Sequence, residues 1–167
     1  LPGGAAVNIP QSIVLTSLDL TIRGDADVEL SGTFSGVLGA DRRLILNVNS
    51  SAVVTISGTV NISNDATNRT LYVEDRTFNH NTTISGQIVN GGTSTASALR
   101  KEGAGTITLT NTANSYAGAT TVQVGTLRLR NGAVPGNATG NTIVVAGAAL
   151  EIETTAASLS YAEPLDL

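Results

Sequence analysis

Three stretches of this chain, VELSGTF (28–34), VTISGTV (54–60) and TTISGQI (82–88), share a loose pattern of alternating residues closed by Ser-Gly. Their glycines stand at 32, 58 and 86, so the pattern returns after 26 and then 28 residues. A second apolar run follows each glycine at near-constant distance: Leu44 by 12 residues, Leu71 by 13 and Leu99 by 13. Further on, Leu109, Leu129 and Leu150 are separated by 20 and 21. Self-similarity at this period marks a solenoid, because one such unit cannot bury its apolar face without a neighbour.

The runs alternate with period two: Val28 and Leu30; Leu44, Leu46 and Val48; Val54 and Ile56; Leu71 and Val73; Ile107 and Leu109; Leu127 and Leu129; Leu150 and Ile152. Polar residues such as Arg128, Arg130, Glu151 and Glu153 fill the places between. Each run is therefore expected to be a short strand with one buried face. Helical periodicity is nearly undetectable. The chain is 41% hydrophobic but only 3% aromatic, so the core must be Val, Ile, Leu and Ala, with 18 Gly at the corners. An antiparallel sandwich is the alternative, with Asn90-Gly91 and Asn131-Gly132 as hairpin turns. Most connections are longer and variable, whereas the apolar strands keep their spacing. That favours coils of about 20 to 28 residues stacking parallel strands at ~4.8 Å per coil. The expected fold is all-β, a parallel β-helix of about six or seven coils.

Several function classes drop out on composition. A net charge of −4 with no basic stripe argues against nucleic acid as partner. No apolar run approaches the roughly 20 residues of a membrane-spanning helix. Cys is absent, so burial and backbone pairing hold the fold without disulfides. The opening LPGGAAVNIPQ lacks the basic start and apolar stretch of a signal peptide, so the chain is expected to be a processed or excised part of something longer.

Residues 99 to 133 carry the densest pattern. Leu99, Lys101, Gly103, Gly105, Thr106, Ile107, Thr108 and Leu109 are followed by Asn114, Tyr116, Gly118 and Thr120, then by Gly125, Thr126, Leu127 and Leu129. This stretch resembles the autotransporter-associated β-strand repeat, also called the passenger-associated transport repeat. VVAGAALEIE (144–153) resembles the strand that usually follows. The resemblance implies a right-handed parallel β-helix in a secreted or surface-anchored bacterial protein, serving as passenger stalk, adhesin shaft or part of a large surface protein. It implies no catalytic residues. Gly103 and Gly105 are expected at a tight corner. Tyr116 is expected to pack over a corner with its hydroxyl satisfied.

Parallel β-helices also host glycan-cleaving enzymes, which need converging carboxylates. The candidates are Asp25, Asp27 and Glu29, expected on one outward strand face, and Asp41 with Arg42 and Arg43. Solvated surface is the favoured account of both groups. GDAD invites a calcium ion but lacks the remaining ligands of an EF-hand. Arg23-Gly24-Asp25 has the form of an integrin-binding tripeptide, too short to argue from. His80, the lone histidine, has no second His or Cys to share a metal and is expected in a loop beside Phe78. Sequons at Asn49, Asn61, Asn68, Asn81 and Asn137 are neutral in an Asn- and Thr-rich chain. No catalytic, cofactor or metal residue is assigned.

The chain is expected to be one β-helix domain. Residues 1–22 supply a loop and a capping or pairing strand, 23–98 looser coils, 99–153 the repeat coils and 154–167 a C-terminal edge. No capping helix is evident at either end, so the open edges are expected to meet adjacent coils of a parent chain or another copy in a filament. The expected role is an extracellular structural shaft or surface scaffold, not an enzyme. A module touching surface glycans through its Asn/Thr-rich flank is the alternative, and a glycan-cleaving enzyme the third.

Overall fold

The computed structural model describes residues 6–36, 40–154 and 162–167. These residues contain eighteen short strands and no helix. The first coil holds β1 (Val7–Ile9), β2 (Ile13–Val14) and β3 (Leu20–Gly24). Residues 7–24 thus form a full turn, not a lone capping strand. The second holds β4 (Val28–Leu30), β5 (Phe34–Ser35) and β6 (Arg42–Val48). The third holds β7 (Val54–Ile56), β8 (Val60–Asn61) and β9 (Thr70–Asp75). The fourth holds β10 (Asn81–Ile84), β11 (Ile88–Val89) and β12 (Ala98–Glu102).

Later coils carry two strands each among the described residues. They are β13 (Thr106–Leu109) with β14 (Thr120–Val122), β15 (Thr126–Arg130) with β16 (Thr142–Val144), and β17 (Ala149–Glu153) with β18 (Leu165–Asp166). Like strands of successive coils pair, giving three sheets. The first runs β1-β4-β7-β10-β13-β15-β17, the second β2-β5-β8-β11 and the third β3-β6-β9-β12-β14-β16-β18. Strand pairing is parallel throughout the described residues, so the chain is a β-solenoid of about six turns and not a sandwich. Asn131 and Gly132 do take the positive φ of a hairpin turn (56° and 83°), but here that bend turns a solenoid corner.

Register partners lie 20 residues apart at closest, from Ile107 to Leu127, and 28 at furthest, from Val54 to Thr82. The long coils are those that carry a strand of the second sheet. Inward columns form the core: Leu30, Ile56, Ile84, Leu109 and Leu129 in the first sheet, and Phe34, Val60 and Ile88 in the second, all at most 1% exposed. Gly32, Gly58 and Gly86 stack at the corner between those sheets. A Cβ on Gly58 would stand 1.9 Å from the Gly32 carbonyl oxygen, and one on Gly86 1.8 Å from that of Gly58. Close approach of main chains, rather than an unusual φ, requires glycine there.

Candidate functional site

The acidic candidates do not converge. Asp25 is exposed at the corner after β3, and only Glu29 of its group lies on a strand. Asp27 Oδ1 accepts the Val53 N–H at 2.7 Å, and Glu29 Oε1 accepts the Ser57 hydroxyl at 2.6 Å. The shared outward face expected of the three is therefore not formed, because the chain turns at Asp25 and Asp27 before β4 begins. Asp41 Oδ1 accepts the Thr70 N–H at 2.8 Å, while Arg42 donates to the Thr16 carbonyl. Asp27 and Asp41 work as rivets, each capping an N–H of the following coil. The sequon residues Asn68, Asn81 and Asn137 also bond to neighbouring coils. Among the described residues no three of His, Cys, Asp or Glu group as a metal site.

Arg43 points outward on β6 and joins a charged strip on the third sheet. Its guanidinium lies 4.3 Å from the Tyr72 ring centroid and pairs with Glu102, and Arg100 donates to Glu102 at 2.8 Å. Arg76 pairs with Glu74 at 2.7 Å. Opposite charges alternate across neighbouring strands, so the strip is internally neutralised.

The chemically most organised region lies where the second sheet stops. Among the described residues no strand pairs beyond its edge strand β11, yet Ile88 is fully buried. The Asn114 side chain takes the place of a further strand. Its Oδ1 accepts the Ile88 N–H at 2.9 Å, and its Nδ2 donates to the carbonyls of Asn111 (3.2 Å) and Val134 (2.7 Å). One amide thus bridges three successive coils. Ser115 N–H completes the edge on the Ile88 carbonyl at 2.9 Å. Tyr116, fully buried, supplies aromatic bulk where the third strand is missing. Its hydroxyl lies 2.6 Å from Thr120 Oγ1, which donates to the Pro135 carbonyl at 2.6 Å. Gly118 leaves room for the coil beneath, since a Cβ would meet the Ala96 carbonyl oxygen at 2.5 Å.

A second organised point is the corner between the third and first sheets. Lys101 occupies an inward column with Leu44, Val73 and Val122, and is 1% exposed. Its ammonium donates to the carbonyls of Glu102 (2.8 Å), Gly103 (2.7 Å) and Val124 (2.9 Å), tying two coils together. Burial pushes it down to about 8 from the usual 10.5, against the attraction of Asp75, Glu102 and Glu74. Gly103 and Gly125 turn the corner at φ 77° and 68°, a region few side chains enter. Leu99, Ile107, Leu109, Leu127 and Leu129 fill the interior around it.

Residues 99–129 match the family model of the passenger-associated-transport-repeat. No curated protein and no solved structure is found to match the chain. The repeat's fixed positions fall into three structural roles. Leu and Ile fill columns, Lys101 and the glycines make one corner, and Asn114, Tyr116, Gly118 and Thr120 close the other side. A repeat of this kind belongs with a passenger-type β-helix of secreted or surface proteins.

One buried group is not foreshadowed by sequence pattern. His80 is not a loop residue beside Phe78: it is 1% exposed while Phe78 is 72% exposed. Its Nδ1 lies 2.6 Å from Asp75 Oδ2 and its Nε2 3.1 Å from the Ala52 carbonyl, and the Thr82 hydroxyl donates to the same carboxylate at 2.9 Å. The physical reason is Asp75, which falls at an inward strand position and must find partners there. Gly105 makes space for that carboxyl, since a Cβ would stand 2.5 Å from Asp75 Cγ. Enclosed on all sides, the trio binds the coil and offers no access to a substrate.

Proposed function

We propose that this chain is a non-catalytic segment of a β-helical shaft carried outside the cell, joined through its open ends to further coils. The observation that carries this is the pair of unpaired ends. Val7 and Val14 stand 47% and 48% exposed on the first coil, and Ile152 and Leu165 46% and 43% on the last. These apolar residues sit on strands whose outer edges are open, and so suit a neighbouring coil better than water. Between the ends, the outward polar residues are engaged in coil-to-coil bonds, which supports a load-carrying surface over a reactive one. The repeat at 99–129 supports export and surface placement.

An antibody raised to this segment tests the proposal on intact cells of the source organism. Labelling without permeabilisation is expected. Labelling that appears only after lysis overturns surface placement.

A further inference from the structure

Resting on the shaft reading, the structure distinguishes what stacks on the C-terminal end from a second copy of this chain. The two ends differ in cross-section. The first coil presents three strand edges, β1, β2 and β3, whereas the last presents two, β17 and β18, among the described residues.

Charge sharpens the difference. On β17 the inward residues Leu150 and Ile152 alternate with outward Glu151 and Glu153, and β18 adds Asp166 beside Leu165. Glu151 and Glu153 answer Arg128 (2.7 Å) and Arg130 (3.0 Å) of the preceding coil, and their side chains remain about half exposed, 48% and 50%. Such carboxylates accept a second cation from the opposite side.

A second copy does not supply it. To continue the inward columns, Val7 must follow Leu150 and Ile9 must follow Ile152. That sets Asn8 opposite Glu151 and places Pro10, which has no N–H, opposite Glu153. In the third sheet the same register brings Asp19 opposite Asp166. Like charges meet, and β2 is left with no strand to pair.

We infer that the C-terminal edge is a docking surface for one more two-sheet coil that carries Lys or Arg at the outward places facing Glu151 and Glu153. The coil of Thr126–Arg130, with Arg128 and Arg130 at those places, is the pattern for it.

The test appends a copy of residues 123–144 after Leu167 of the full chain. Leu167 stands in the column of Val122 and Val144, so this copy continues the winding in register. A second version carries Glu at the copied positions of Arg128 and Arg130. The basic coil is expected to raise the thermal midpoint by several degrees, with the gain reduced in high salt. The acidic coil is expected to give a smaller gain or none. Equal effects from the two coils, including none from either, overturn the inference. Sedimentation of the unmodified chain is an independent arm: a monomer at high concentration is expected, and head-to-tail polymers overturn it. Both outcomes are separate from surface labelling, which tests the shaft reading alone.

Discussion

The side-chain oxygen of Asn114 accepts the main-chain N–H of Ile88 at 2.9 Å, ending the second sheet without a strand. Replacing Asn114 with Leu keeps much of the volume but orphans the Ile88 N–H and the Val134 carbonyl. A buried polar group left unmatched costs about 1–3 kcal/mol. Urea unfolding of Asn114→Leu is expected to show a loss in that range or above, with faster amide exchange at Ile88. An unchanged midpoint counts against the bridging role.

Tyr116 separates bulk from bonding. Tyr116→Phe retains the ring and removes the contact with Thr120, for an expected loss of about 0.5–1.5 kcal/mol. Tyr116→Ala empties a fully buried site and is expected to cost about 3–5 kcal/mol. Thermal unfolding of the two variants ranks the effects, and equal losses indicate that the ring does not fill the space.

The glycine column is equally open to test. Gly58→Ala places a methyl 1.9 Å from the Gly32 carbonyl, so one of the two main chains must move. Overpacking of this kind costs about 1–3 kcal/mol. Gly24→Ala makes a comparison with free space, since no atom lies within 4 Å of its Cβ, although its φ of 127° strains any side chain. A Gly58→Ala protein as stable as the parent rules out the tight stack.

The winding was legible because Gly32, Gly58 and Gly86 sit where two main chains touch, and a steric requirement of that sort survives in the sequence as spacing. The division into three-sheet and two-sheet coils was not, since β2, β5, β8 and β11 hold two residues each and two residues show no period. The buried polar groups were hidden by their chemistry. Lys101 follows Leu99 by two, and Asp75 follows Leu71 and Val73 at the same interval, so both stand in the inward phase of their strands. Phase points inward while charge points outward, and only partners decide. For Lys101 these are three carbonyls; for Asp75, His80 and Thr82. The spacing from Asp75 to His80 spans a corner and leaves no periodic trace.

Asp75 and His80 are expected to be energetically coupled. Asp75→Leu restores an aliphatic residue beside Leu46 but strips His80 and Thr82 of their acceptor. Breaking a buried pair from one side costs about 3–5 kcal/mol. His80→Leu in the same background is expected to recover part of it. A double-mutant cycle with a coupling of about 0.5–3 kcal/mol fits direct contact, and additive losses do not.

Lys101 makes stability depend on alkaline pH in a direction opposite to that of a lysine in a surface ion pair. In the folded chain its ammonium deprotonates near 8, whereas in the unfolded chain it holds its proton to about 10.5. Below pH 8 both states are protonated and the folded state bears the full penalty of a buried charge. Between pH 8 and 10.5 unfolding takes up a proton, so this residue's contribution to stability rises with pH and then levels. Lys101→Met removes the titration and leaves the Glu102, Gly103 and Val124 carbonyls without their donor, so it is expected to be less stable at every pH by about 1–3 kcal/mol or more. Denaturation of both proteins from about pH 7 to 10.5 checks the sign. The gap between parent and variant is expected to widen toward high pH, and a gap that narrows through this window contradicts a folded-state value near 8.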